Sequence, residues 1–447
     1  MTSELPGPSD IHRLGEARFP SPLRARRSRF IRDDERVLIQ AEIDRIGPML
    51  ARGEMPPSFE VAGPRETIYF EPGKVAAGII TCGGLCPGLN DVIRALTLTL
   101  WHQYGVRRIL GFRFGYLGLS PQSPVPPLEL DPDHVSRIHD TGGTILGTSR
   151  GPQDLDGMID TLVREGLGIL FTVGGDGTLR GAAALEARLR ERRIPIAVIG
   201  IPKTIDNDLH WIERSFGLAT AVEAADMVIA GAHAEARGVW NGVAVVKLMG
   251  RHAGYIAAYA TLANNDVNFC LVPEFPVRLD GERGLLRALE KRLASRQHAV
   301  IAVAEGFGQD LIANAATTRD ASGNAKLADI GPFLCERIRD HFKARQIPIA
   351  LKYIDPSYIV RSMPANSQDA ELCTALAQHS VHAAMTGRTG LMIGRGNGRY
   401  THVPIPLAVA TPRCIPRDAP VWQRVLDTTG QAELLDFPSR THSPKTS

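Results

Sequence analysis

The sequence predicts an α/β fold with mostly parallel sheets, and three observations carry that prediction. Apolar runs of strand length recur from Lys74 onward: "KVAAGIIT", "LGILFTV", "IPIAVIGI", "GVAVVKLMG" and "HAVIAVAEG". Helical stretches separate them. Each run also ends in glycine and charged residues. Continuous apolar strands between helices belong to parallel sheets covered on both faces. In such sheets ligands bind in the crevice beyond the carboxyl ends of the strands, where these polar clusters fall.

At 447 residues the chain is long enough for two or three domains. Residues 1–73 read as an N-terminal extension rich in Pro and Arg. Its basic run "RARRSRFIR" (Arg24–Arg32) is followed at once by "DDER", so it is expected to be a solvated or interface helix. The first strand, "KVAAGIIT", leads through "CGGLCPGLND" into the helix "DVIRALTLTLWHQYG". "LGILFTV" leads through "GGDGTLRGA" into the helix "AAALEARLRERR". "IPIAVIGI" ends in "PKTIDND", and "GVAVVKLMG" ends in "GRHAG". Between them and "HAVIAVAEG", the segment "GERGLLRALEKRLASRQ" spaces Leu285, Leu286, Leu289 and Leu293 along one helix face. After Ile415 the periodicity stops, and residues 416–447 are expected to be a poorly ordered tail.

Composition narrows the function classes. Apolar residues make up 44% and charged residues 22%, ordinary for a globular protein. A net charge of +3 gives no argument for a nucleic-acid or membrane partner. No apolar stretch approaches the ~20 residues that span a bilayer. The start "MTSELPGPSD" lacks a signal-peptide pattern, and the end is not a peroxisomal address. The Cys82-x3-Cys86 spacing does not suit a zinc ribbon. All six cysteines are therefore expected to be reduced thiols, which points to the cytoplasm.

The loops carry the chemistry. In "GGDGT", Gly174, Gly175 and Gly177 let the backbone approach a ligand, and N–H groups at a helix start face phosphate oxygens. Asp176 among them suits Mg²⁺, which takes one or two carboxylates plus phosphates. "CGGLCPGLND" is a second glycine turn before a helix. In "TIDND", a strand-like exit would point Asp206 and Asp208 the same way, one toward metal and one as a base. Arg251 is a cation for a phosphoryl group. Lys352, Tyr358 and Arg361 suit a sugar phosphate, and Arg150 adds another cation. Taken singly, these have plainer readings: tight turns, an Asx-turn pair, surface arginines and an exposed strand edge. Together they supply the parts for phosphoryl transfer, which is mostly positioning and charge stabilisation.

In this order the motifs resemble the phosphofructokinase A family, over about Lys74 to Ile415. The resemblance implies two Rossmann-like three-layer domains with the active site in a cleft between them. Residues 74–217 would form the phosphate-donor domain, with 361–415 packing back on it, and 218–360 the fructose 6-phosphate domain. It implies transfer of a phosphoryl group to the 1-hydroxyl of fructose 6-phosphate, with Mg²⁺ as cofactor. Gly83, Arg150, Gly151, Gly174, Gly175, Asp176, Gly177, Thr178 and Lys203 match the donor side, Asp176 at the metal position. Thr204, Ile205 and Asp206 match the catalytic loop, with Asp206 as base. Met249, Gly250 and Arg251 match the motif whose arginine stabilises the transferring group. Glu305 matches a sugar-hydroxyl contact. Lys352, Tyr358, Ile359, Val360 and Arg361 match the 6-phosphate end.

The family divides into ATP and pyrophosphate users. Pyrophosphate enzymes carry Asp at the position of Gly177 and Lys at that of Lys203. Gly177 leaves room for the ATP α-phosphate, whereas an Asp there would crowd and repel it. The combination of Gly177 with Lys203 resembles the atypical ATP-dependent branch. ATP is therefore the expected donor, with a pyrophosphate-dependent phosphotransferase as the alternative. The arginine that bacterial ATP enzymes supply from a neighbouring subunit has no match near Gly242, and their effector residues find none either. A homo-oligomer, dimer or tetramer, is expected. NAD and lipid kinases share "GGDGT" but lack "TIDND" and "MGR" in this order, and a regulatory subunit on the same fold would have lost Asp206 or Arg251.

Overall fold

The computed structural model describes residues 10–26, 29–151, 153–312 and 327–434. In chain order the strands of its two main sheets are β1 (Arg36–Leu38), β2 (Ser58–Val61), β3 (Ala76–Thr81), β4 (Arg108–Phe112) and β5 (Leu128–Glu129). They continue with β6 (Leu167–Gly174), β7 (Ala197–Pro202), β8 (Gly242–Leu248), β9 (Phe269–Leu271) and β10 (His298–Ala304). The last are β11 (Ala350–Ile354), β12 (Leu391–Gly396) and β13 (Arg399–Pro404).

The described residues form two compact units. One takes those of Met1–Ala221 and Tyr358–Arg413. The other takes those of Val222–Arg319, Ala325–Ser357 and Cys414–Ser447.

The first unit is built on a sheet in the order β1-β2-β13-β12-β7-β6-β3-β4-β5. Its central five strands, β12, β7, β6, β3 and β4, run parallel. Antiparallel strands flank them on both sides. Every residue of β3 and β7 is buried, as continuous apolar runs require. The segment before Lys74 joins this sheet through β1 and β2. It is held by Glu60, whose two carboxylate oxygens each accept from Arg388 Nε at 3.1 Å and one from His402 Nδ1 at 3.1 Å. Burial alone would raise the Glu60 carboxyl. The hydrogen bonds from His402 and Arg388 overcome burial and hold it well below the usual carboxylate range.

The basic run at Arg24–Arg32 differs from expectation. Its described residues form no helix beyond the short 3₁₀ turn Pro22–Ala25. Pairing replaces helix formation here: Arg32 and Arg29 turn toward Asp34 and Glu35, the acidic residues that follow.

The second unit carries an all-parallel sheet in the order β9-β10-β8-β11. The helix Leu285–Arg296 buries Leu285, Leu286, Leu289 and Leu293, the four residues its spacing selects. The chain after Ile415 also departs from expectation. It forms the helix Pro420–Thr429, which buries Val421, Trp422, Val425 and Leu426; residues 435–447 lie outside the described residues. Trp422 is fully buried and stacks on Phe275 with ring centroids 4.4 Å apart. A helix of ten residues shows too few turns for its pattern to stand out, and tertiary packing supplies its stability. Trp422→Ala is expected to lower the unfolding free energy of this unit by about 3–5 kcal/mol, measured by denaturant titration.

All six cysteines are free thiols, and only Cys414 is exposed. Among the described residues no helix is long and apolar enough to cross a membrane.

Candidate active site

On the first unit, the predicted donor residues collect at the carboxyl ends of β3, β6 and β7. β6 ends at Gly174, and the helix Asp176–Glu191 starts two residues later with Gly175 as its N-cap. Asp176, Gly177 and Thr178 form the first turn, so their N–H groups have no partner within the helix and carry the positive end of its dipole. Nothing in the fold requires glycine at 177. A β-carbon there would meet no atom within 4 Å, and its backbone is not left-handed. Gly177 leaves space that the protein itself does not fill.

The loop after β3 comes beside this helix start. Gly83 has φ +82°, a conformation that favours glycine. A β-carbon on it would stand 3.3 Å from Lys203 Nζ. Lys203 is buried, and its ammonium donates to the Gly84 carbonyl at 2.7 Å. Burial lowers its pKa, and the nearby Arg361 and Arg150 push the same way. The Gly83 N–H donates to the Ser149 carbonyl at 3.3 Å, which brings Arg150 and Gly151 to this loop. Thus Arg150 and Arg361 both bear on Lys203, which brings together three cations from separate stretches of sequence.

The "TIDND" segment is a turn and does not continue the strand. The Asn207 N–H donates to the Thr204 carbonyl at 3.3 Å, and Asn207 adopts φ +58°. The strand spacing that would point Asp206 and Asp208 the same way therefore does not apply here. Asp208 accepts from the Thr204 hydroxyl, while Asp206 sits half-buried at the bend. Fully buried Asn207 holds this shape: its amide oxygen accepts from the Ser215 N–H at 2.9 Å, and its amide nitrogen donates to the Glu213 carbonyl at 3.3 Å. Arg413 adds a backbone N–H to the Asp208 carbonyl at 2.8 Å and a guanidinium hydrogen bond to the Ile212 carbonyl at 2.7 Å. The sequence reading missed Asn207, Ser215 and Arg413. Asn207 did leave a signal, since Asn between two acidic residues tolerates the left-handed region.

On the second unit, β8 and β10 end together, with Leu248 opposite Ala304. Met249, Gly250 and Arg251 follow one strand and Glu305 the other. The Glu305 N–H donates to the Leu248 carbonyl at 2.9 Å, and the Gly306 N–H to the Gly250 carbonyl at 3.0 Å. The loops touch so closely that a β-carbon on Gly306 would stand 1.9 Å from the Arg251 carbonyl oxygen. Glu274 fixes the far side of the arginine loop, accepting from the Gly254 N–H at 3.0 and 3.1 Å.

Lys352 is not brought to this edge. It pairs with Ala244 in the middle of the parallel ladder, level with a residue well short of Leu248. Lys247 stands closer to the edge, between Asp329 at 2.9 Å and Asp355 at 2.8 Å. Tyr358 to Arg361 lie in the first unit, with Tyr358 and Ile359 exposed and Val360 buried.

Asp176 fits a divalent cation held mainly by phosphates. Its carboxylate is 50% exposed at the helix start and is oriented by Arg180 Nε at 2.9 Å. Among the described residues no group of three potential metal-ligating side chains occurs.

A family model described as Phosphofructokinase matches residues 76–384. The chain is 46% identical over 438 residues to the ATP-dependent 6-phosphofructokinase of Amycolatopsis methanolica, covering 94% of each. It is 47% identical over 378 residues to the ATP-dependent 6-phosphofructokinase of Borreliella burgdorferi, covering 83% of this chain and 85% of that one. The crystal structure of a pyrophosphate-dependent phosphofructokinase from Nitrosospira multiformis shares the fold, with a TM-score of 0.66 at 19% identity over 83% of this chain and 94% of that one.

Proposed function

The chain belongs to the phosphofructokinase family, and we propose that it transfers the γ-phosphoryl group of ATP to the 1-hydroxyl of fructose 6-phosphate, giving fructose 1,6-bisphosphate. The observation that carries this reading is the open helix start at Asp176–Thr178 beside buried Lys203. It combines N–H donors, a carboxylate and a cation with a space that the protein leaves unfilled at Gly177.

In this reading the N–H groups of the first helical turn, with Gly83, Arg150 and Gly151, hold the donor phosphates. Lys203 offers a fixed ammonium to the same charge. Asp176 would hold Mg²⁺, which when bound neutralises charge on the phosphates. Asp206 takes the proton from the sugar 1-hydroxyl as the hydroxyl oxygen attacks the γ-phosphorus, whose bond to the bridging oxygen breaks so that ADP leaves. Thr204 and Asn207 keep the bend that presents it. Arg251 meets the charge that develops on the transferring group. Glu305 binds the sugar hydroxyls, and Tyr358 and Arg361 the 6-phosphate.

We further propose a cytoplasmic homo-oligomer. The helix Ile43–Ala51 buries none of its residues and leaves Ile43 82% and Leu50 55% exposed, an apolar face suited to a second copy.

The reading is tested by kcat/KM with ATP and with pyrophosphate, using purified protein, Mg²⁺ and fructose 6-phosphate. A large preference for ATP is expected. A preference for pyrophosphate would make Lys203 the residue that selects the donor. Turnover with neither would remove the assignment.

A further inference from the structure

Away from the phosphoryl-transfer residues, two histidines of the second unit face each other. His233 lies on the helix Leu218–Arg237, and His298 is the first residue of β10. Their Nε2 atoms are 3.3 Å apart. Each ring's other nitrogen already has an acceptor. His233 Nδ1 is 2.8 Å from the Asp266 carboxylate, and His298 Nδ1 is 2.9 Å from the Arg296 carbonyl oxygen.

These partners determine the tautomers. A carboxylate and a carbonyl oxygen only accept hydrogen bonds, so both Nδ1 atoms carry hydrogen. In the neutral rings both Nε2 atoms then present lone pairs, and the lone pairs converge. Two lone pairs at this separation repel unless a positive centre lies between them. Zinc–nitrogen bonds of about 2.0–2.1 Å at a tetrahedral angle place two ligand nitrogens about 3.3–3.4 Å apart. The observed spacing is that of two ligands on one ion.

We propose that His233 and His298 form a binding site for a divalent transition metal of the zinc class, each ligating through Nε2. Asp266 and the Arg296 carbonyl hold the rings in the ligating tautomer, as carboxylates and carbonyls do behind metal-bound histidines. Among the described residues no third side chain joins the pair, so water completes the coordination. The His233 side chain is 18% exposed, which leaves the ion a path from solvent. Arg292 and Arg237 lie close enough to bear on His298 and weaken its hold on a dication. The bound ion ties the helix Leu218–Arg237 to the start of β10 and to the loop at Asp266.

The test is a Zn²⁺ titration by calorimetry on full-length protein stripped with chelator and desalted, comparing wild type, His233→Ala and Asp266→Asn. Kinase activity of the variants without added Zn²⁺ reports that they are folded. Wild type is expected to bind one equivalent more than His233→Ala. Asp266→Asn is expected to keep that equivalent with affinity reduced ~10–100-fold. Exposed Cys414 is common to all three proteins, so zinc on it cancels in the comparison. Equal stoichiometry in wild type and His233→Ala would overturn the proposal and leave a proton shared between the rings as the positive centre. Should His233→Ala fail to fold, unchanged affinity in Asp266→Asn overturns it equally.

Discussion

Asp206→Ala is expected to lower kcat by at least ~10²-fold, the lower end of what a positioned general base contributes. The structure explains why this loss would be one of chemistry. The bend that carries Asp206 is held by Asn207 through Ser215 and Glu213, and by Arg413 through the Asp208 and Ile212 carbonyls. Those bonds do not pass through the Asp206 carboxylate, so alanine leaves them in place. Circular dichroism and the KM for ATP are expected to stay near wild type while kcat falls. A folded variant that retains most of its kcat would take Asp206 out of the base role and direct attention to Asp208, which accepts from the Thr204 hydroxyl in the same turn.

Gly177→Asp is expected to reduce kcat/KM with ATP by about 10²–10³-fold, the effect of two like charges ~4 Å apart at an effective dielectric constant near 20. Use of pyrophosphate, which has no α-phosphate, is expected to change far less. The substitution tests donor choice cleanly because the fold tolerates it. A β-carbon at 177 meets nothing within 4 Å, and an acidic residue in the first turn suits the helix dipole. Gly177→Ala supplies the control for size without charge and is expected to lose much less ATP activity. Equal losses with both donors in Gly177→Asp would refute the argument from space and repulsion at this position.

Both predictions rest on residues whose chemistry was legible before the fold. Asp176, Gly177, Asp206 and Arg251 stand where an apolar run meets a glycine or a charge, and such junctions occur at the carboxyl edge of a parallel sheet. Other parts of the site were hidden. "TIDND" has the composition of a turn and the position of a strand exit, and the left-handed Asn207 decides between them. Lys352 looked like a partner for Tyr358 and Arg361 because it is near them in sequence. Its level on the second unit's sheet, opposite Ala244 in the register of β11 against β8, is not recorded in that spacing.

The sequence by itself determined the class of fold, the strands that are buried on both faces, and the residue types offered at their ends. Those features depend on local pattern, since an apolar run specifies burial wherever it lies. Only the tertiary structure decided which separate stretches meet. It set Arg361 and Arg150 near Lys203, buried Trp422 in a helix after Ile415, and turned His233 toward His298. Such meetings depend on how the chain returns to a sheet or a helix face after long excursions, and no local period records that return.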